Sequence, residues 1–500
     1  MRRQRPVLAG LVLVLLIFAG ACSGRGHGRE LHVVWSTDLP TLDPNAKFEF
    51  VADTLAMNVF EPLVRYDRQM TFAPCLAKSW EIREGLVWRF RLRDGVLFQD
   101  GTTLTADDVA WSIQRLKAKP DRDIYRYVSA IREVRIIDPL TVDIVSERPA
   151  GLLSVLSFVY ILPKRSVDRL GEEAFFRAPS GTGPYRIAEW HRGESLRLEA
   201  HEDYWGGPPP IRTVVFRVTA EGEPMWAEAR RLAPAIVFAP TRTSWAAHRA
   251  DGTFTLVERP GLAVHFLAMK ISGGPANPLS DVRVRRALRA SIDYKRLVSA
   301  IPAEGAFPAS QFVPPAIVGF DPGLSVPTFV PGQARRLLAE AGFRQEAPFR
   351  FLTVAPGGPM DRILLDSFAA AGVAVRQEAV PQAEFDRRSV ACDADFFVSG
   401  WICSTGDAGE LFEGNFSRKE APLNPCGYGT DEMDASVDEI GRTLDPVLRR
   451  DLLQKAMRRL VDDLPWIPLL VSYDRHALTP GVEWQARADG QLDLRDVRLK

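Results

Sequence analysis

The chain has 500 residues, 46% of them hydrophobic and 25% charged, a globular composition that excludes disordered, collagenous and coiled-coil proteins. Its 63 basic residues balance its 63 acidic ones, so it lacks the basic surplus with which a nucleic-acid binder neutralises phosphates. The length allows about two to four domains and a large core.

The first residues, MRRQRPVLAGLVLVLLIFAGAC, set a basic start before an apolar run from Val7 to Ala19. That run is too short to span a bilayer of about 30 Å as a helix, and it fits the apolar core of a secretory signal. It ends in Ala19-Gly20-Ala21-Cys22. Small residues before a Cys resemble a bacterial lipoprotein signal, so residues 1–21 are expected to be removed and Cys22 to carry lipid. Several acyl chains then anchor the protein stably, since each buried methylene contributes about 0.8 kcal/mol. Loss of Arg2, Arg3 and Arg5 with the leader leaves 60 basic and 63 acidic residues, too small an imbalance to steer a highly charged macromolecule.

The rest reads as mixed α/β. LHVVW at 31–35 predicts a short strand. From Leu86 to Phe98 a hairpin is expected. Trp88, Phe90 and Leu92 alternate with Arg89, Arg91 and Arg93, the period of a half-buried strand, and Asp94-Gly95 supplies a turn. Thr105 and Asp108 have capping-box spacing ahead of a helix whose inner face is Val109, Ile113 and Leu116. Further helices are predicted from about Ser280 to Val298, with Arg283, Arg285, Arg286 and Arg289 solvated, and from Gln333 to Ala341, stopped by Gly342. A last helix runs from Pro446 to about Asp463, with Leu448, Leu452, Leu453, Ala456 and Leu460 inward, and Pro465 ends it. Strands are expected at 140–145, 195–200, 213–218, 349–354 and 467–472. Pro and Gly clusters at 206–210, 273–278 and 302–332 mark loops or crossings.

Signatures of chemistry are missing. No GxSxG, HExxH or GxxxxGK[ST] occurs, so no catalytic residue is assigned and a binding protein is favoured over an enzyme. The seven His are scattered and no CxxC occurs, so neither a metal site nor a cofactor is expected. An exported chain meets an oxidising compartment. Cys403 and Cys426 flank a loop-like segment rich in Gly, Asn and Pro, and are the candidate disulfide pair; the sequence leaves other pairings open.

Several segments, in order, carry one resemblance. They are Thr41-Leu42-Asp43-Pro44, Phe60-Glu61-Pro62-Leu63-Val64, Leu76-Ala77-Lys78-Ser79-Trp80, and FRLRDGVLFQDGTTLTADDV at 90–109. Gly181-Thr182-Gly183-Pro184-Tyr185, Asp281-Val282-Arg283-Val284-Arg285-Arg286-Ala287, Tyr428 with Asp434, and Pro465-Trp466-Ile467-Pro468-Leu469 follow. Together the chain resembles the extracytoplasmic solute-binding proteins of the oligopeptide, dipeptide and nickel ABC-importer class, over about residues 31 to 470. The resemblance implies an α/β, two-lobed periplasmic-binding-protein fold of type II, with an extra subdomain and a hinge between the lobes. Mapped here, lobe I takes 31–70, 180–270 and 470–500, the subdomain 71–179, and lobe II 271–469. It further implies a monomer that captures a short peptide or peptide-like solute by lobe closure and delivers it to separate permease subunits.

The resemblance also implies site residues. Gly400-Trp401-Ile402-Cys403-Ser404-Thr405-Gly406-Asp407 is similar to a family pattern of the form GWxxDxxDP, in which an acid pairs with the peptide α-amine. The first acid falls on Ser404, which offers only a neutral hydrogen bond, and the second on Asp407. Trp401 offers a broad apolar wall with one donor. Asp38 and Leu39 precede the TLDP element, where a ligand-facing loop is implied, and Tyr125 or Tyr127 stands where a Tyr reaches the cleft. Thr182 in its Gly-Thr-Gly-Pro turn is expected to be structural. A nickel or metal-chelate binder of the same fold, and a lipoprotein that scaffolds or signals without transporting, are the alternatives.

Overall fold

The computed structural model describes residues 30–500 apart from 47–49, 84–85, 121–124, 148–151, 250–251, 302–304, 404 and 419–425. The leader and Cys22 lie outside the described residues. Among these residues no helix is long and apolar enough to cross a membrane.

One large mixed sheet organises the molecule. Its strands run, in spatial order, Val375–Val380, Phe349–Val354, Phe396–Ile402, Thr255–Met269, Trp466–Leu478, Ala235–Phe238, Leu31–Trp35, Thr213–Val218, Ser195–Ala200 and Tyr185–His191. Leu31–Trp35 lies parallel to both of its neighbours. A strand covered on both faces needs an unbroken apolar run, which LHVVW nearly supplies.

Two long antiparallel strands, Thr255–Met269 and Trp466–Leu478, belong to both halves of this sheet. At one end Ile236 to Phe238 pair with Leu478 to His476. At the other, Ala263 to Met269 pair with Ile402 to Phe396. The register shifts between Pro260 and Val264, and such a surplus of residues kinks and twists a ladder locally. On either side lies a separate core. One includes Leu31, Trp35, Leu198, Phe216 and Phe238; the other includes Leu288, Phe351, Leu364, Phe368 and Phe396. The fold is therefore α/β with two lobes joined through paired strands.

A four-stranded antiparallel sheet, in the order Ala77–Arg83, Val87–Leu92, Thr141–Ser146, Ile131–Asp138, builds a third layer. The helix Ala106–Lys117 covers it, with Val109, Ile113 and Leu116 buried. The capping box forms: Asp108 Oδ2 accepts the Thr105 N–H at 2.8 Å. Trp88, Phe90 and Leu92 face the core, while Arg89 pairs outward with Asp143. The hairpin itself differs from expectation. Val87–Leu92 pairs with Ala77–Arg83 on one side and Thr141–Ser146 on the other, and Leu92 and Arg93 donate to the carbonyls of Leu140 and Leu76 at the starts of those neighbours, so the strand does not fold back on itself at Asp94-Gly95. The tight turn falls at Asp100-Gly101, where Leu97 bridges Thr103.

The helix expected over 280–298 is two helices, Val282–Ala290 and Tyr294–Ser299, because Asp293 caps a new start by accepting from Lys295 and Arg296 N–H. Arg285 is not solvated; it is 5% exposed. It donates to the carbonyls of Leu279, Ser280, Asp463 and Leu464. Those last two end the helix Pro446–Asp463, whose terminal carbonyls lack intrahelical partners and attract a cation. In that helix Leu453, Ala456 and Leu460 are buried as expected, but Leu448 is 53% exposed in the first turn.

Candidate functional site

The strand that leads into the late loop ends beside the register shift of the two long paired strands. Gly400, Trp401 and Ile402 end the strand Phe396–Ile402, opposite His265, Val264 and Ala263. Ile402 is 60% exposed. Trp401 is half-buried against the core, and its Nε1–H is buried with no hydrogen-bond partner. Ser404 lies outside the described residues.

The loop that follows is held by its own side chains. Cys403 Sγ donates to the Asp407 carbonyl at 3.2 Å. Thr405 donates its N–H and hydroxyl to Glu410, at 3.2 and 2.8 Å. Asp407 accepts the N–H of Gly409 at 2.7 Å, at the first residue of the helix Gly409–Phe416. Both Asp407 oxygens also accept from Arg449.

Tyr66 meets this loop from the early part of the chain. Its hydroxyl donates to the Thr405 carbonyl. Gly406 has φ +66° and stands so close that a Cβ there would lie 3.1 Å from the Tyr66 ring. Phe72 and Phe158 flank that ring at centroid distances of 4.6 and 6.4 Å. Tyr66 and Arg449 were not singled out from the sequence. The alternation of buried Val64 and Tyr66 after Glu61-Pro62 marks a strand, but nothing local marks its distant partner.

The other expected site residues disperse. Asp38 accepts the Gly193 N–H at 2.8 Å. Leu39 is 3% exposed and belongs to the core with Leu31 and Phe216. Tyr125 is half-buried in the short helix Tyr125–Val128; the side chain of Tyr127, in the same helix, lies outside the described residues. Thr182 is fully buried. Beside it, a Cβ on Gly181 or Gly183 would lie within 2.7 Å of the Val59 carbonyl oxygen. Gln99 stitches this crossing, donating to the Gly183 and Tyr185 carbonyls and accepting the Gly181 N–H.

The disulfide is Cys392–Cys426, with Cα atoms 5.3 Å apart, not Cys403–Cys426. Cys403 is a free thiol, buried inside the loop with its sulfur turned to the Asp407 carbonyl. The Cys426 carbonyl instead accepts from Ile271 and Ser272 N–H, which pins it near the turn that holds Cys392. Among the described residues no group of three His, Cys, Asp or Glu is placed to hold a metal.

At the strand crossing, Asp474 stands opposite Arg259. A Cβ on Gly261 would lie 2.5 Å from the Asp474 carboxylate. Burial, and then Asp489, push the Asp474 carboxyl up to about 6, against the pull of Arg259.

Residues 71–422 match the family model described as bacterial extracellular solute-binding proteins, family 5 Middle. The chain is 26% identical to di/tripeptide-binding protein 2 of Pseudomonas aeruginosa, over 91% of this chain and 92% of that one. It is 25% identical to the glutathione-binding protein GsiB of Escherichia coli, over 93% of each. Among solved structures, HbpA2 from Haemophilus parasuis superposes with a TM-score of 0.84 at 25% identity, covering 94% of this chain and all of that one. The periplasmic murein tripeptide-binding protein MppA, in an unliganded open form, superposes with a TM-score of 0.81 at 19% identity, covering 95% and 98%. With the two-lobed fold and the matched segment together, this chain belongs to the bacterial extracellular solute-binding proteins of family 5.

Proposed function

We propose that this protein captures a short peptide or peptide-like solute between its lobes and hands it unchanged to the permease of an ABC importer. The observation that carries the reading is the strand end Gly400-Trp401-Ile402. It delivers an exposed apolar edge and an unpaired indole N–H beside the junction of the lobes. Relatives named for di- and tripeptides and for glutathione support the solute class. The lobes are drawn as 31–70 with 180–270 and 470–500, against 271–469, with 71–179 as the subdomain. Closure about the two long strands encloses the solute. Trp401 and Gly400 are its proposed late-chain contacts; Asp38, Tyr125 and Tyr127 are the proposed early ones, with Leu39 backing that loop from the core, and Ser404 a neutral donor.

Asp407 has a different part in this reading. Bound to Arg449 and to the Gly409 N–H, it shapes the loop and leaves the solute amine to other acceptors. The protein acts as a monomer, outside the cytoplasm, anchored through lipid on Cys22. A Cys22→Ser change then abolishes labelling by palmitate.

Native mass spectrometry of gently purified mature protein tests the solute class. A ladder of short peptides released on denaturation is the expected result. One defined metal chelate, or no binding from a pool of di- and tripeptides, contradicts it.

A further inference from the structure

A cavity opens beneath Tyr66, between the helix Phe50–Val59, the strand Val64–Tyr66 and the C-terminal segment 487–495. Met57, Phe60, Phe158 and Tyr160 supply apolar wall, and Arg65, Arg487 and Gln491 stand among its polar groups. We propose that this cavity is a subsite for a carboxylate on a short apolar arm, read by the Arg65 guanidinium.

The argument is one of hydrogen-bond accounting. Arg487 donates to Asp489 at 3.0 and 2.7 Å and to the Tyr66 carbonyl at 3.0 Å. Arg495 donates to Asp493 at 2.8 Å and to the Tyr204 hydroxyl at 3.3 Å. Glu61 accepts from Tyr204 Oη at 2.6 Å and Trp205 Nε1 at 2.7 Å. Gln491 Oε1 accepts from Thr54 Oγ1. Arg65 differs in one atom: its guanidinium lies near Glu61, Asp493 and the Cys75 thiol, but its Nη1 is buried and has no hydrogen-bond partner. A buried donor left unmade is costly, and most buried polar groups in native proteins are paired. A guanidinium presents a planar fork that matches a carboxylate. Asp53, Glu61 and Asp489 line the cavity as well; Glu61 is held by Tyr204 and Trp205, and Asp489 by Arg487.

The place of the cavity gives the subsite a purpose. Tyr66 forms part of its wall and also donates to the Thr405 carbonyl in the late loop, so a group in the cavity abuts the junction of the lobes. The inference rests on the solute-capture reading in one respect: the carboxylate is taken to be an acidic side chain of the captured solute.

Calorimetry on the mature protein tests it with Ala-Glu, Ala-Gln and glutarate. Ala-Glu is expected to bind about tenfold tighter than Ala-Gln, the usual value of one charge-assisted hydrogen bond. Arg65→Gln removes that preference. Met57→Trp, which fills the cavity and leaves Arg65 in place, removes it as well, so the result does not hang on one variant folding. Equal affinities in the wild type, or a preference that survives both variants, overturn the subsite while leaving peptide capture intact. Glutarate binding that needs Arg65, with both dipeptides silent, upholds the subsite and overturns the peptide reading. Silence from all three probes overturns the subsite.

Discussion

Asp407 and Arg449 hold each other by two hydrogen bonds, of 2.7 and 3.0 Å, at the point where the late loop meets the helix Pro446–Asp463. Their side chains are only 15% and 18% exposed. A pair so enclosed is costly to break from one side, because the survivor keeps a buried charge without its partner. Asp407→Asn is expected to lose about 2–4 kcal/mol of stability, and Asp407→Asn with Arg449→Met to recover much of it. Urea unfolding measures both. Weakened peptide binding by Asp407→Asn at unchanged stability makes Asp407 a direct ligand instead.

The disulfide prediction concerns which thiols remain. Alkylation of the denatured, unreduced protein is expected to label Cys75 and Cys403 and to spare Cys392 and Cys426. The bridged residues are 34 apart in sequence, so Cys426→Ser is expected to cost about 3–4 kcal/mol on the loop-entropy estimate. Cys403→Ser leaves the bridge in place. A peptide map that joins Cys403 to Cys426 contradicts the pairing.

Protonation at the strand crossing gives a pH dependence of known sign. The Asp474 carboxyl is raised from an ordinary 3.8 to about 6, first by burial and then by Asp489, with Arg259 opposing. The folded protein therefore holds this proton more tightly than the unfolded chain does. That stabilisation is full below about pH 4 and is lost as pH rises through about 6. Asp474→Asn cannot ionise. Its stability relative to wild type is expected to rise by about 2–3 kcal/mol between pH 4 and 7. A gap between the two proteins that stays constant across that range contradicts the assignment.

How much of this was legible beforehand depends on the distance over which each feature is decided. The strands expected at 195–200, 213–218 and 349–354 are short apolar runs that a local reading finds, and they form there. The Thr105–Asp108 cap is likewise a three-residue affair. Arg285 was misread because its helix face looks like a wet one; only the arrival of the helix end at Asp463 and Leu464 makes a cation fit there. The disulfide expectation failed for the same reason, since Cys392 and Cys426 meet in a core assembled from distant segments. Asp407 was visible as an acid in the right motif, but its engagement by Arg449, 42 positions away, was not.

The Gly181-Thr182-Gly183 turn lies against the backbone of Val59 and is stitched to Gln99. A Cβ at Gly181 would lie 2.0 Å from the Val59 carbonyl oxygen, with backbone rather than a yielding side chain in the way. Gly181→Ala is expected to cost at least about 2 kcal/mol, near the upper part of the range for overpacked sites. Thermal unfolding reads this directly, and an unchanged melting temperature contradicts the close approach.

The central claim is that two lobes close on a small solute about the strands Thr255–Met269 and Trp466–Leu478. Small-angle X-ray scattering of the mature protein, alone and with a saturating pool of di- and tripeptides, tests it most directly. The account predicts a smaller radius of gyration with the peptides present. Superimposable curves with and without them contradict capture by closure.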